Sequence, residues 1–175
     1  MLIDIAFRDD AGNDDRADAE QHWQRLTTQG NALFRLGDWD HALALYEHAR
    51  SLALSRFAHW PHAERAVAAV VVSYLNLSEA LARAGRIDEA SAVLFEVHGA
   101  VLRAVDDPHL KPAIRQAAQR NLRESYGAVL RFQELHGERA ELARLARQSG
   151  ACLVAATLPP GIGPSGMPGG APTLH

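Results

Sequence analysis

The sequence predicts an all-α protein, a short α-solenoid of about three antiparallel helix hairpins. Apolar residues recur with the helical period through residues 20–156. Three glycines, Gly37, Gly85 and Gly137, interrupt that period, and an amphipathic segment resumes within three residues of each. Pro61 and Pro112 stand where a helix would begin. These glycines and prolines at helix ends predict six helices, paired across three glycine turns.

The first hairpin is predicted around Gly37. Upstream of it, small and large residues share one helical face: Trp23, Leu26, Gly30, Leu33 and Phe34. Gly37 suits the left-handed end of that helix, and Asp38 suits the N-cap of the next. The second helix is then expected from Trp39 to about Arg56.

The second hairpin is predicted around Gly85. The stretch "FAHWPHAE" at 57–64 is a turn, and Pro61 suits the start of a long helix over 63–84. Its partner helix is expected from Ile87 until "DDPH" at 106–109 breaks the chain.

The third hairpin is predicted around Gly137. Pro112 begins another long helix, Gly137 closes it, and a last helix is expected from Ala140 to about Ala156.

The two ends of the chain have a different composition from the helical domain at 20–156. Residues 1–19 are rich in Asp and are predicted to be a flexible acidic arm. Residues 157–175 hold five of the 8 prolines and five of the 13 glycines. Such a segment gains too little from ordering, so a disordered tail is predicted.

Composition argues against several classes of function. The formal net charge is −3, which gives no electrostatic basis for binding nucleic acid. Cys152 is the single cysteine, so no internal disulfide is expected. The N-terminus lacks the pattern of a secretory signal, and the longest apolar run, at 66–72, is too short to span a membrane. We therefore expect a cytoplasmic protein that binds neither nucleic acid nor membrane.

An internal repeat explains the spacing of small and large residues. When "ALFRLGDWDHALALYEHA" is set over "EALARAGRIDEASAVLFEVH", Gly37 pairs with Gly85 and Trp39 with Ile87. Small residues at 30, 42 and 49 would let two antiparallel helices approach closely, while large residues at 33, 39 and 46 fill the space between them.

This pattern resembles the tetratricopeptide repeat (TPR) over residues 20–156. Residues 23–56 match well, 71–104 fairly and 123–156 poorly. The glycine turns are 48 and 52 residues apart, whereas the repeat length is about 34. The extra residues are expected in longer helices and connections. The helix "AVAAVVVSYLNLSEAL" also resembles one found in small proteobacterial TPR-like proteins.

The resemblance implies a non-enzymatic module that binds a protein or peptide in a concave groove lined by the first helix of each hairpin. The groove positions would be Asn31, Phe34, Arg35, Asn76, Glu79 and Arg83. Phe34 is expected either to anchor a partner or to pack under Phe57 and Trp60 of the first long connection. No cofactor and no catalytic constellation are predicted.

Two other functions remain open at this point. Nine histidines raise the possibility of metal handling, and His59 and His62 have the only compact ligand spacing. A structural homodimer is the second alternative, because the last helix has an apolar face and no polar capping helix follows it.

Overall fold

A computed structural model describes residues 13–60 and 62–157, with side chains from 18 to 153 in those ranges. This part of the chain contains six α-helices, one short 3₁₀ helix and no strand, which confirms the all-α prediction. The elements are α1 (Asn13–Arg35), α2 (Trp39–Ser55), the 3₁₀ helix η1 (Phe57–His59), α3 (Ala63–Arg83), α4 (Ile87–Asp106), α5 (Pro112–His136) and α6 (Ala140–Thr157).

The two predicted chain ends fall mostly beyond the described residues. The acidic arm was expected over 1–19, but α1 already begins at Asn13. Residues 158–175, which make up almost all of the predicted tail, lie outside the described part of the chain.

A glycine turn joins the two helices of each hairpin. Gly37, Gly85 and Gly137 have φ values of 79°, 78° and 86°, a region that residues with a side chain rarely adopt. After Gly37, the Asp38 N–H donates to the carbonyl of Leu33 at 3.1 Å. After Gly85, the N–H of residue 86 makes the same bond to the carbonyl of residue 81, at 2.9 Å. The first two turns are therefore structural repeats of each other.

The three hairpins stack as a short α-solenoid. Each first helix packs on the second helix of the preceding hairpin, α3 on α2 and α5 on α4. The central helix α3 contacts α1, α2, η1, α4 and α5, whereas among the described elements α6 packs only on α4 and α5. One continuous apolar core runs through the stack.

The first hairpin shows why small and large residues alternate. Ala42 and Ala49 of α2 are fully buried. A Cβ atom on Gly30 would lie 2.6 Å from Cε1 of Tyr46, closer than real contacts allow. Glycine at this position therefore lets α1 lie directly against the Tyr46 ring.

The connection after α2 fills a wedge between α1 and α3. Phe57 and Trp60 are buried, and the Trp60 ring meets the Trp23 ring edge-on at 5.8 Å. Trp23 Nε1 donates to Ser73 Oγ of α3 at 2.8 Å, and Glu20 pairs with Arg65 at 2.9 Å. Because aromatic side chains fill this space, α1 contacts α3 less extensively than α5 does.

The apolar character of α3 is explained by its central position. By length and hydropathy it is the one helix in the described residues that could cross a membrane. However, 56% of its most apolar window is buried inside the fold. A helix that packs on neighbours around most of its surface is expected to be apolar.

Candidate functional site

The strongest candidate site is a cleft of about 470 Å³ between α3 and α5, the first helices of the second and third hairpins. We call it the α3–α5 cleft. Its floor is apolar and contains Leu94 of α4 with Ala128 and Phe132 of α5. Leu94 and Phe132 are both buried, so the floor is fixed by core packing rather than by exposed side chains.

Charged side chains line the rim of the α3–α5 cleft. Glu79 and Arg83 of α3 form an ion pair at 3.0 Å. Glu124 and Arg131 of α5 also line the cleft, and within the described residues neither has an ion-pair partner. In the part of the chain that the structure describes, the rim thus offers one acid and one base without an ion-pair partner above an apolar floor.

Leu135 is the most exposed apolar residue of the cleft. Its relative exposure is 71%, although it lies only three residues after the buried Phe132. The His136 ring packs on the Phe132 ring at 4.8 Å beside it. The helical period does not mark Leu135 as exposed, since a leucine one turn from an apolar residue normally indicates core.

The predicted groove residues divide between two places. Asn76, Glu79 and Arg83 line the α3–α5 cleft, whereas the three α1 residues do not. Asn31 Oδ1 accepts a hydrogen bond from the Tyr46 hydroxyl at 2.7 Å, and Arg35 Nε donates to the Asn31 carbonyl at 3.2 Å. The first contact joins α1 to α2 within the first hairpin, and the second lies within α1.

Phe34 does not pack under Phe57 and Trp60, and its role as a partner's anchor stays a prediction. It is half-buried, and its ring meets the Trp39 ring edge-on at 5.0 Å. The expected cover, Phe57 and Trp60, instead packs in the wedge between α1 and α3. The reason is local, because the turn at Gly37 brings Trp39 back against the end of α1.

A comparison with family models matches residues 21–156 to DUF2753, a family described as proteins of unknown function. The chain belongs to the DUF2753 family. The matched region runs from α1 to α6 and coincides with the predicted helical domain at 20–156. A comparison with curated proteins finds no match.

The histidines of this DUF2753 protein are dispersed. His59 is half-buried and its Nδ1 has no hydrogen-bond partner among the described residues, while His62 is exposed at the start of α3. Among the described residues, no group of three or more His, Cys, Asp or Glu side chains is placed to hold a metal ion. His41 forms a local pair with Asp38 at 2.8 Å. That hydrogen bond raises the pKa of His41 above its usual value.

A buried histidine joins the last three helices of the DUF2753 domain. His98 of α4 is 0% exposed. Its Nδ1 lies 2.9 Å from Ser125 Oγ of α5, and its Nε2 lies 2.7 Å from Ser149 Oγ of α6. Burial lowers its pKa to about 4, so the imidazole is neutral at pH 7. Because all three side chains are buried, this arrangement supports the fold and offers no access to a substrate.

Proposed function

We propose that this protein is a non-enzymatic interaction module that binds a protein or peptide segment in the α3–α5 cleft. The exposed Leu135 carries the proposal, because it stands at the edge of an apolar floor that already contains Phe132. Burying a leucine side chain fully stabilises a complex by about 1.5–3 kcal/mol. A partner's apolar side chain set between Leu135 and Phe132 would provide that burial.

The charged rim supports specificity of binding. Glu124 and Arg131 lack ion-pair partners among the described residues, so each is available to an opposite charge on the partner. The polar side chain of Asn76 in the same cleft can bond the backbone of a bound segment. An apolar centre with polar groups around it is the usual anatomy of a protein interface.

The TPR resemblance and the hairpin stacking support the same mode of action. Solenoids of helical hairpins use the surface of their first helices to bind extended partners. The cleft in this protein is formed by the first helices of the second and third hairpins. We place the protein in the cytoplasm, in keeping with its single cysteine.

The test is affinity capture from a lysate of the source cells, followed by mass spectrometry, with the wild type and three variants as baits. Leu135→Ala removes the exposed cleft leucine and is expected to weaken capture at least about tenfold. Leu36→Ala is the control, because Leu36 is 81% exposed but lies outside the cleft. Arg131→Glu tests the rim and should also weaken binding. A partner captured equally by the wild type and by both cleft variants would contradict the proposal.

A further inference from the structure

The end of the solenoid carries a second groove, between α5 and α6, with a volume of about 540 Å³. We call it the terminal groove. The equivalent surface of the second hairpin, between α3 and α4, is covered by α5. Gly85 and Gly137 are 52 residues apart, and the same shift carries Ser78 and Leu94 onto Leu130 and Ala146.

The two pairs of residues occupy matching places. Ser78 and Leu94 line the α3–α5 cleft, where α5 packs over α3 and α4. Leu130 and Ala146 line the terminal groove, and no further helix follows them within the described residues. Leu130 is 45% exposed as a result. The terminal groove is therefore the acceptor surface for one more helix.

The charges of the terminal groove are arranged in opposite signs along its length. Glu134 and Glu138 lie at the turn end, and Arg147 lies farther along α6. Among the described residues, none of the three has an ion-pair partner. Placed against a second copy by a two-fold axis, the acidic end of each groove would face the basic part of the other.

Small residues of α6 lie close to the position where the two-fold axis would pass. The midpoint between Glu138 and Arg147 falls between Leu142 and Ala143, and Ala143, Ala146 and Gly150 all line the groove. Small residues at the crossing point let two helices approach closely. From the groove and its complementary charges we propose that two copies of this chain pair through their terminal grooves, with Glu138 of each chain facing Arg147 of the other.

This proposal goes beyond the partner-binding function, since it uses a different surface. The experiment is sedimentation equilibrium of the full 175-residue chain over about 10–200 μM, a range that covers weak to moderate dimers. The wild type is expected to approach twice its chain mass of 19.0 kDa. Arg147→Glu and Glu138→Arg should each raise the dimer dissociation constant at least about tenfold, since like charges then face each other.

Mixing the two charge-reversed chains tests whether Glu138 of one chain faces Arg147 of the other. An equimolar mixture of the Arg147→Glu and Glu138→Arg chains should recover the dimer, because both cross-contacts again join opposite charges. Arg144→Glu is the control: it makes the same change of charge on α6, on an exposed residue that does not line the groove, and should leave the dimer intact.

Three outcomes would overturn the proposal. The first is a wild-type chain that stays at 19.0 kDa throughout the range. The second is a mixture that remains monomeric, and the third is equal weakening by Arg144→Glu and Arg147→Glu. Ile162→Asp and Met167→Asp together remove apolar side chains of the tail. If the full-length chain with both changes dimerises and the wild type does not, the tail of the same chain occupies the groove instead of a second copy. Circular dichroism of each variant establishes that it is folded.

Discussion

Ser149 Oγ lies 2.7 Å from Nε2 of His98, and this contact joins the last helix of the solenoid to α4. The other ring nitrogen of His98 meets Ser125 Oγ of α5. Neutral imidazole has one donor and one acceptor nitrogen, so one serine accepts from the ring and the other donates to it. Both serines also lie within hydrogen-bond distance of a backbone carbonyl on their own helix. The three helices are thus held together by a buried polar contact as well as by apolar packing.

His98 should make stability depend on pH. Its pKa falls from 6.5 to about 4 in the folded protein because burial disfavours the charged ring. The unfolded chain therefore binds more protons between these values, and stability is full above pH 6.5 and is lost as pH falls. The expected loss is about 2 kcal/mol between pH 6.5 and 5. Urea unfolding at both pH values, for the wild type and for His98→Gln, measures it.

The His98→Gln variant serves as the control in this comparison. The pKa of exposed His41 is raised, chiefly by its hydrogen bond to Asp38, so that residue contributes stability at low pH, in the opposite direction. Both chains contain His41, and the difference between them isolates His98. Identical pH dependence in the two chains would contradict the prediction.

Gly30→Ala should destabilise the protein although alanine is the better helix former. The added methyl group would lie 2.6 Å from the Tyr46 ring, which is itself buried. Overpacking of this kind costs about 1–3 kcal/mol. Gly127→Ala in α5 is the matched control, because its Cβ would meet only the flexible end of Arg131, at 3.3 Å. It should be neutral or stabilise by up to about 1 kcal/mol, as thermal unfolding would show. Equal effects of the two changes would refute the close approach of α1 to Tyr46.

Ala42→Leu and Ala49→Leu test the packing of the first hairpin from the side of α2. Both alanines are fully buried, so the extra carbon atoms have no space. Each change is expected to lower the free energy of unfolding by about 1–3 kcal/mol in urea titrations. Ala32→Leu on exposed α1 surface is the control and should have little effect. Two silent variants at 42 and 49 would show that the repeat register is misassigned.

Phe34→Ala should separate stability from binding. The ring is half-buried against Trp39, so its loss is expected to cost about 2 kcal/mol, less than a fully buried phenylalanine. Because Phe34 does not line the α3–α5 cleft, the folded variant should still capture the partner that Leu135→Ala loses. Loss of binding with unchanged stability would show that Phe34 anchors a partner.

Deleting residues 159–175 should leave the melting temperature nearly unchanged. The segment is rich in proline and glycine and has little apolar surface to offset its ordering entropy. Differential scanning calorimetry of the full and shortened chains measures the effect. A decrease of many degrees would show that the tail packs on the folded domain.

The positions of the helices and turns followed from the sequence by itself. Gly37, Gly85 and Gly137 were predicted to end helices, and all three adopt positive φ. Pro112 was predicted to begin a helix and does so. Such signals act within a few residues, through steric limits on the backbone and hydrogen bonds at helix ends, so they can be read locally.

Only the tertiary structure decided which surfaces form a site. Trp60, buried against Trp23, holds α1 away from α3, so the candidate cleft lies between α3 and α5 instead of along α1. Leu135 is exposed and His98 is buried, although the helical period alone does not distinguish them from their neighbours. Exposure depends on which helices pack together, and those contacts join residues about 50 positions apart, such as Trp23 with Ser73 and His98 with Ser149. Local propensity contains no information about that pairing, which the packing of the whole core determines.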